Sequence, residues 1–186
     1  MKRWTLIVGA LYISLAVGCG GPKEETAAPE TAAPEQAQTA KAELKNASGE
    51  SVGTGTFTQT AEGVTIEVHV NNLTPGEHGI HIHDVGTCEP PDFNSAGGHF
   101  NPGGHQHGSM NPQGKHAGDL GNITVGSDGH GMSSVTSSDI TLGEGDNSLF
   151  HPGGTSLMIH ADVDDNKTDP SGNAGARIAC GVITRG

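Results

Sequence analysis

Gly63-Val-Thr-Ile-Glu-Val-His-Val70 alternates without a break, Val64, Ile66, Val68 and Val70 against Thr65, Glu67 and His69. A side-chain period of two marks a half-buried strand, with the aliphatic residues facing the core and His69 on the wet side. Working outward, similar short runs occur near 42–47, 51–59, 78–84, 120–126, 131–137, 155–161 and 177–184, each bounded by Gly, Asn, Asp or Pro. The run at 131–137 alternates least well. No stretch beyond residue 40 shows helical spacing, and thirty glycines lower helix propensity further. Eight short antiparallel strands imply an all-β sandwich or flattened barrel. Two connections, 85–117 and 161–176, are too long for turns. Long loops in a compact domain are uncommon unless they carry function.

The chain opens with Lys2 and Arg3, an apolar stretch from Leu6 to Val17, and then Gly18 and Cys19. A basic start, a short apolar core and a small residue describe a secretory signal over 1–18, too short to span a bilayer comfortably. Cys19 after Ala-Val-Gly resembles the lipobox of bacterial lipoproteins, whose cysteine is acylated. That implies a membrane anchor in the cell envelope, facing periplasm or exterior. Residues 20–40 hold hardly an apolar side chain larger than alanine, and TAAPE repeats at 26–30 and 31–35. Such a segment cannot bury enough surface to offset its ordering entropy, so 19–40 reads as a lipidated cysteine and a tether. The remaining 146 residues, 41–186, suffice for one core. A formal charge of -12, or -14 once Lys2 and Arg3 are removed, argues against nucleic acid as a partner.

Period two also places His81 and His83 on one face of a strand, opposite Ile80 and Ile82. With the isoleucines in the core, both imidazoles project beneath the long loops. His160 ends another apolar run, and His99, His107, His116, Asp119 and Asp164 complete eight residues whose order and spacing suit two adjacent metal ions. Imidazoles suit copper and zinc, and a single carboxylate beside imidazoles suits zinc. His105, two residues from His107, is the one serious rival ligand. His78 in PGEHG reads as a loop-bracing hydrogen-bond donor, and His130 and His151 as solvated loop residues.

The strings HGIHIH, GGHFNP, HAGDLGN, LMIHAD and GNAGARIACGV, in this order, resemble the copper/zinc superoxide dismutases across residues 41–186. The resemblance implies a Greek-key barrel that disproportionates superoxide to oxygen and hydrogen peroxide. It implies copper on His81, His83, His99 and His160, and zinc on His99, His107, His116 and Asp119, with His99 shared and taking part in catalysis. Asp164 matches the aspartate that accepts a hydrogen bond from a ligand histidine on each side. Arg177, in GARIAC, matches the arginine that binds a small anion beside the copper; Lys167 and Lys115 are further candidates for drawing superoxide in. Members occur as monomers and dimers, so a homodimer is compatible with it.

Three cysteines in an exported chain leave one over. With Cys19 lipidated, Cys88 and Cys180 remain for a disulfide, and this pairing fits the bacterial branch of the family. A rival class is a copper or zinc binding or delivery module on the same barrel, since fold does not fix function. Such a module would be expected to lack a copper ligand or the arginine, and none is missing.

Overall fold

The computed structural model describes residues 38–186. The signal segment, Cys19 and the spacer up to residue 37 lie outside the described residues. Nine strands follow: β1 Thr39–Asn46, β2 Ser51–Thr60, β3 Gly63–Val70, β4 Gly76–His83, β5 Asp119–Val125, β6 Gly131–Ser137, β7 Ser156–His160, β8 Arg177–Val182 and β9 Thr184–Arg185. The only helical element among the described residues is a 3-10 turn, Asn94–Ala96.

Each pairing is antiparallel and follows from the alternation. In β3 the inward residues Val64, Ile66, Val68 and Val70 are buried, while Glu67 and His69 are exposed. The strand order is β2-β3-β6-β5-β4-β7-β8-β1, and β1 pairs in turn with β2, which closes the barrel. The connections β3 to β4 and β6 to β7 each pass over two strands, which makes the topology a Greek key. Inside lie Leu44, Phe57, Val64, Ile66, Ile80, Ile82, Ile123, Leu157 and Ile159.

The barrel corrects the expected strands in three places. The run expected at 177–184 bends at Ile183, whose amide turns to Thr155 O, so β8 and β9 are successive pieces of one eighth position, both paired to β1. The first strand starts at Thr39, inside the expected tether, with Ala40 already buried. A third long connection, 138–155, joins the two expected ones; its Ile140, Leu142 and Leu149 are buried in the barrel core. The weakly alternating β6 is a full strand, in register with β3 from Val64↔Ser137 to Val70↔Gly131. Its inward positions carry Gly131, Ser133 and Ser137, which is why the alternation is faint.

β4 then positions the site. Ile80 and Ile82 enter the core, so the opposite face presents His81 and His83 to the loops 84–118 and 161–176, which bury both rings. A register shift between Ile80 and His81 breaks the pairing with β5. Beyond it Ile82 N donates to Gly118 O, Gly118 N to Phe100 O and Phe100 N to Ile82 O, all at 2.8 to 2.9 Å. This closed triangle pins the loop to the strand. It needs glycine at 118, where a Cβ would meet Ile82 O.

A candidate metal centre

Six imidazoles and two carboxylates meet at the open side of β4. His81 and His83 come from β4, His160 from the end of β7, His99, His107 and His116 from the loop 84–118, Asp119 from the start of β5, and Asp164 from the loop 161–176. All are buried apart from His99, which is half-buried, and His99 joins β4 through a bridge to His83.

The hydrogen bonds fix which nitrogen of each ring is free. His81 Nε2 donates to Asp164 Oδ2 at 2.8 Å, His83 Nδ1 to Gly97 O at 3.0 Å and His160 Nδ1 to Gly175 O at 3.2 Å. In a neutral ring the second nitrogen then carries a lone pair. These lone pairs converge: His83 Nε2 faces His160 Nε2 at 3.4 Å, and the ligand atoms of His81, His83, His99 and His160 all lie within 4.8 Å of one another. His81 Nδ1 and His99 Nε2 are buried with no hydrogen-bond partner among the described residues. Buried polar atoms are normally paired, and lone pairs aimed at one point ask for a cation.

A second point of convergence is Asp119. His99 Nδ1, His107 Nδ1 and His116 Nδ1 stand 2.8, 3.1 and 3.2 Å from its Oδ1. Its Oδ2 accepts from Gly108 N at 2.9 Å and His116 N at 3.1 Å, which fixes the carboxylate. Ligands about 2.1 Å from a tetrahedral zinc lie roughly 3.4 Å apart, close to this spacing. His81 also falls within reach of His99, His107 and Asp119. Its one free nitrogen already belongs to the first group, however, and His116 Nδ1, 3.3 Å from His99 Nδ1, completes the second without that conflict.

Asp164 links the two groups. Its Oδ2 takes His81 and its Oδ1 takes His107 Nε2 at 2.9 Å. Gly172 leaves no alternative, because a Cβ there would meet Asp164 Oδ1 and His107 Nε2. Asn122 clamps the main chain of Asp164 from β5, donating to its carbonyl at 2.9 Å and accepting from its amide at 2.8 Å. Asp169 Oδ1 accepts from His107 N at 2.7 Å. These two positioning residues were not singled out in the sequence, where an Asn at a strand and an Asp in a polar loop carry no signal of their own.

His105 is exposed, stacked against Gly103 and Gly114, and takes no part. His78 lies behind the site, its ring nitrogens 2.8 Å from Thr74 O and His160 O, in the bracing role expected of it. His151 is not simply solvated: it stacks on Phe100 at 5.4 Å between ring centroids.

Arg177 pairs with His160 across β7 and β8, and its charge helps to disfavour protonation of both His83 and His160. Nη1 donates to Phe93 O and Nη2 to Gly97 O, both at 2.7 Å, leaving other N–H groups of the fork free. Cys88 and Cys180 form a disulfide that ties this same loop to β8, with Phe93, Ala96 and Met158 packed around it. Lys115, by contrast, is committed to Asp139 at 2.9 Å and to Asp119 O at 3.3 Å, so it braces the loop and is not free to attract an anion. Lys167 is exposed.

Protonation favours metal binding by the first group. Burial pushes His83 down to about 2, His160 to about 3 and His99 to about 4, so all three rings are neutral at pH 7. Burial also lowers His81. His107 differs: burial opposes its charge, but Asp119 and Asp164 outweigh burial and push it up to about 9. The two carboxyls are held well below their usual range: burial opposes this, but hydrogen bonds from the histidines, His107 foremost, prevail.

Four lowered histidines against one raised give a sign for stability. Between pH 6.5 and about 4 the unfolded chain binds more protons than the native one at these rings, so stability is lost as pH falls. The His107 contribution runs the other way, being lost as pH rises through about 9. The metal-free domain is therefore expected to lose denaturation midpoint steadily from pH 7 to pH 4. A urea midpoint that rises on acidification over that range would contradict the assignment of neutral buried rings.

The sequence of residues 51–183 matches the family model for copper/zinc superoxide dismutase, about seven-tenths of the chain. The chain belongs to the copper/zinc superoxide dismutase family. "Superoxide dismutase [Cu-Zn] 1" of Aquifex aeolicus is 49% identical over 144 residues, covering 76% of this chain and 85% of that protein. "Superoxide dismutase-like protein YojM" of Bacillus subtilis is 38% identical over 190 residues, covering 98% and 96%. A crystal structure of a SOD-like protein from Bacillus subtilis superposes with a TM-score of 0.73 at 41% identity, covering 76% of this chain and 96% of that one. Copper and zinc are the metals of this superoxide dismutase family, and the two converging groups fit them: an all-imidazole set suits copper, and three imidazoles with one carboxylate suit zinc.

Proposed function

We propose that this protein disproportionates superoxide, converting two superoxide ions and two protons to one oxygen and one hydrogen peroxide. The observation that carries the proposal is the unbroken donor set, four free imidazole nitrogens within 4.8 Å beside an arginine with unused donors. His81, His83, His99 and His160 would hold copper, and His99, His107, His116 and Asp119 zinc, so His99 serves both. Copper, when bound, supplies the one-electron exchange with superoxide.

The rest falls to the chain. Asp164 fixes two ligand rings in one tautomer, and the carbonyls of Gly97 and Gly175 fix two more. Arg177, locked by Phe93 O and Gly97 O, offers its remaining N–H groups to a small anion. Nδ1 of His99 is engaged by Asp119, which leaves the buried, unpartnered Nε2 as the nitrogen that can hold and return a proton.

A second reading, metal binding without turnover, is favoured by the likeness of nearly the whole chain to a protein named only superoxide dismutase-like. Activity separates the two. Protein loaded with both metals is expected to bind one copper and one zinc and to consume superoxide, while Arg177→Ala keeps both metals and loses rate at low substrate. Full metal content without turnover in the parent protein would select the binding module.

We also infer that the domain is exported and held at a membrane by lipid on Cys19. The disulfide supports an oxidising compartment, and the signal-like start supports export. Cys19→Ser is expected to move the protein into the soluble fraction or to block maturation; a processed variant that stays membrane-bound would exclude the lipid.

A further inference from the structure

Away from the buried centre, on the far side of β5 from β4, cross-strand pairing sets His69 of β3 opposite Met132 of β6. The neighbouring pair, Val70 and Gly131, faces inward. Gly131 is confined there, since a Cβ would meet Thr124 O and the methyls of Val70 and Val125. Met132, its neighbour within β6, is therefore turned to the outer face that His69 shares, and His130, just before the strand, lines the same groove. The main chain of His130 is held as well, its amide donating to Asp128 Oδ1 at 3.1 Å and its carbonyl accepting from Gly126 N at 2.8 Å.

The three side chains line one groove of about 600 Å³, floored by the small residues Gly53 and Thr54. Neither imidazole hydrogen-bonds through its side chain to any described residue. Met132 is 69% exposed, an unusual place for an apolar thioether. Residues directly opposite in an antiparallel pair have Cβ atoms about 4.5–5.5 Å apart, which sets His69 beside Met132. His130 borders the same groove from the end of the turn, so an unbranched Met and two imidazoles open on one space.

We propose that His69, His130 and Met132 form a surface site for one copper(I) ion. A thioether is a soft ligand that selects copper(I), and imidazole suits copper as well; zinc sites draw instead on thiolate, imidazole and carboxylate. The charged groups nearest by position are acidic: Glu67, two residues before His69 on its face, and Asp128 in the turn. No Lys or Arg lines the groove. Exposed and three-coordinate, the site takes and releases metal readily, whereas the buried centre retains it.

The test uses the full protein with its buried centre already loaded with copper and zinc and kept under ascorbate. It is titrated with copper(I) against bicinchoninate while the methionine methyls are followed by NMR. The expected result is one further equivalent of copper, with the Met132 methyl shifting and Met110, equally exposed at 69%, standing still. His69→Ala and Met132→Leu, both surface changes, should each abolish that equivalent and leave the loaded metals in place. The proposal is overturned by the absence of a further equivalent, by Met110 moving in parallel with Met132, or by survival of the signal in His69→Ala. Because the buried metals are counted separately, none of these outcomes bears on the superoxide reading.

Discussion

Asp164→Asn is expected to weaken both metal positions at once, by roughly 10 to 100-fold each, the usual cost of losing a partner that orients ligand rings. The carboxylate is buried and receives one ring N–H on each oxygen, from His81 and from His107, with Asn166 N adding a third donor at 2.6 Å to Oδ1. An amide has one oxygen and one NH2, so one ring must face a donor where it had an acceptor. That ring either turns over, which withdraws its metal-binding nitrogen, or loses its partner. Competition with chelators of graded strength reads the two affinities separately. Loss at one position alone would show that the carboxylate does not couple the two.

The second large effect belongs to the disulfide. Cys88 and Cys180 are 92 residues apart, and in the chain-entropy model a loop of that size is worth roughly 4 to 5 kcal/mol. For a domain of this length 1 kcal/mol corresponds to roughly 2–4 °C, so the Cys88→Ser, Cys180→Ser double variant is expected to melt about 10 to 20 °C lower. A further loss follows from the loop itself. The segment between Cys88 and Gly97 supplies both carbonyls that hold Arg177, so at a temperature where the variant remains folded its rate at low superoxide should fall more than its metal content. Equal activity per bound copper in the two proteins would free Arg177 from dependence on the bridge.

Much of this was legible in advance, and the reasons are local. β3 and β4 announced themselves because alternation puts valine and isoleucine inside and leaves polar residues out, and the same parity put His81 and His83 together. His107 lies in the cluster and the exposed His105 does not; the choice between them came from the family resemblance and not from spacing. What escaped notice depends on contacts far apart in the chain. The loop 138–155 buries Leu142 and Leu149 in the core, and no period marks apolar residues that reach the core from a loop. Asn122 matters only because the loop 161–176 comes back to it, 42 residues later. The commitment of Lys115 to Asp139 was equally hidden, so a side chain that read as a free cation is a brace.

The closure of the barrel through β1 sets an order on assembly. Along its length β1 pairs with β2, its immediate successor, but its other edge waits for β8 and β9, whose partners Ala179 to Arg185 lie far along the chain. Until they arrive one edge of the sheet stands open, and pairings this distant in sequence form slowly because the intervening chain must first be brought together. A barrel built this way cannot close, and β1 keeps one unpaired edge, until β8 and β9 are in place.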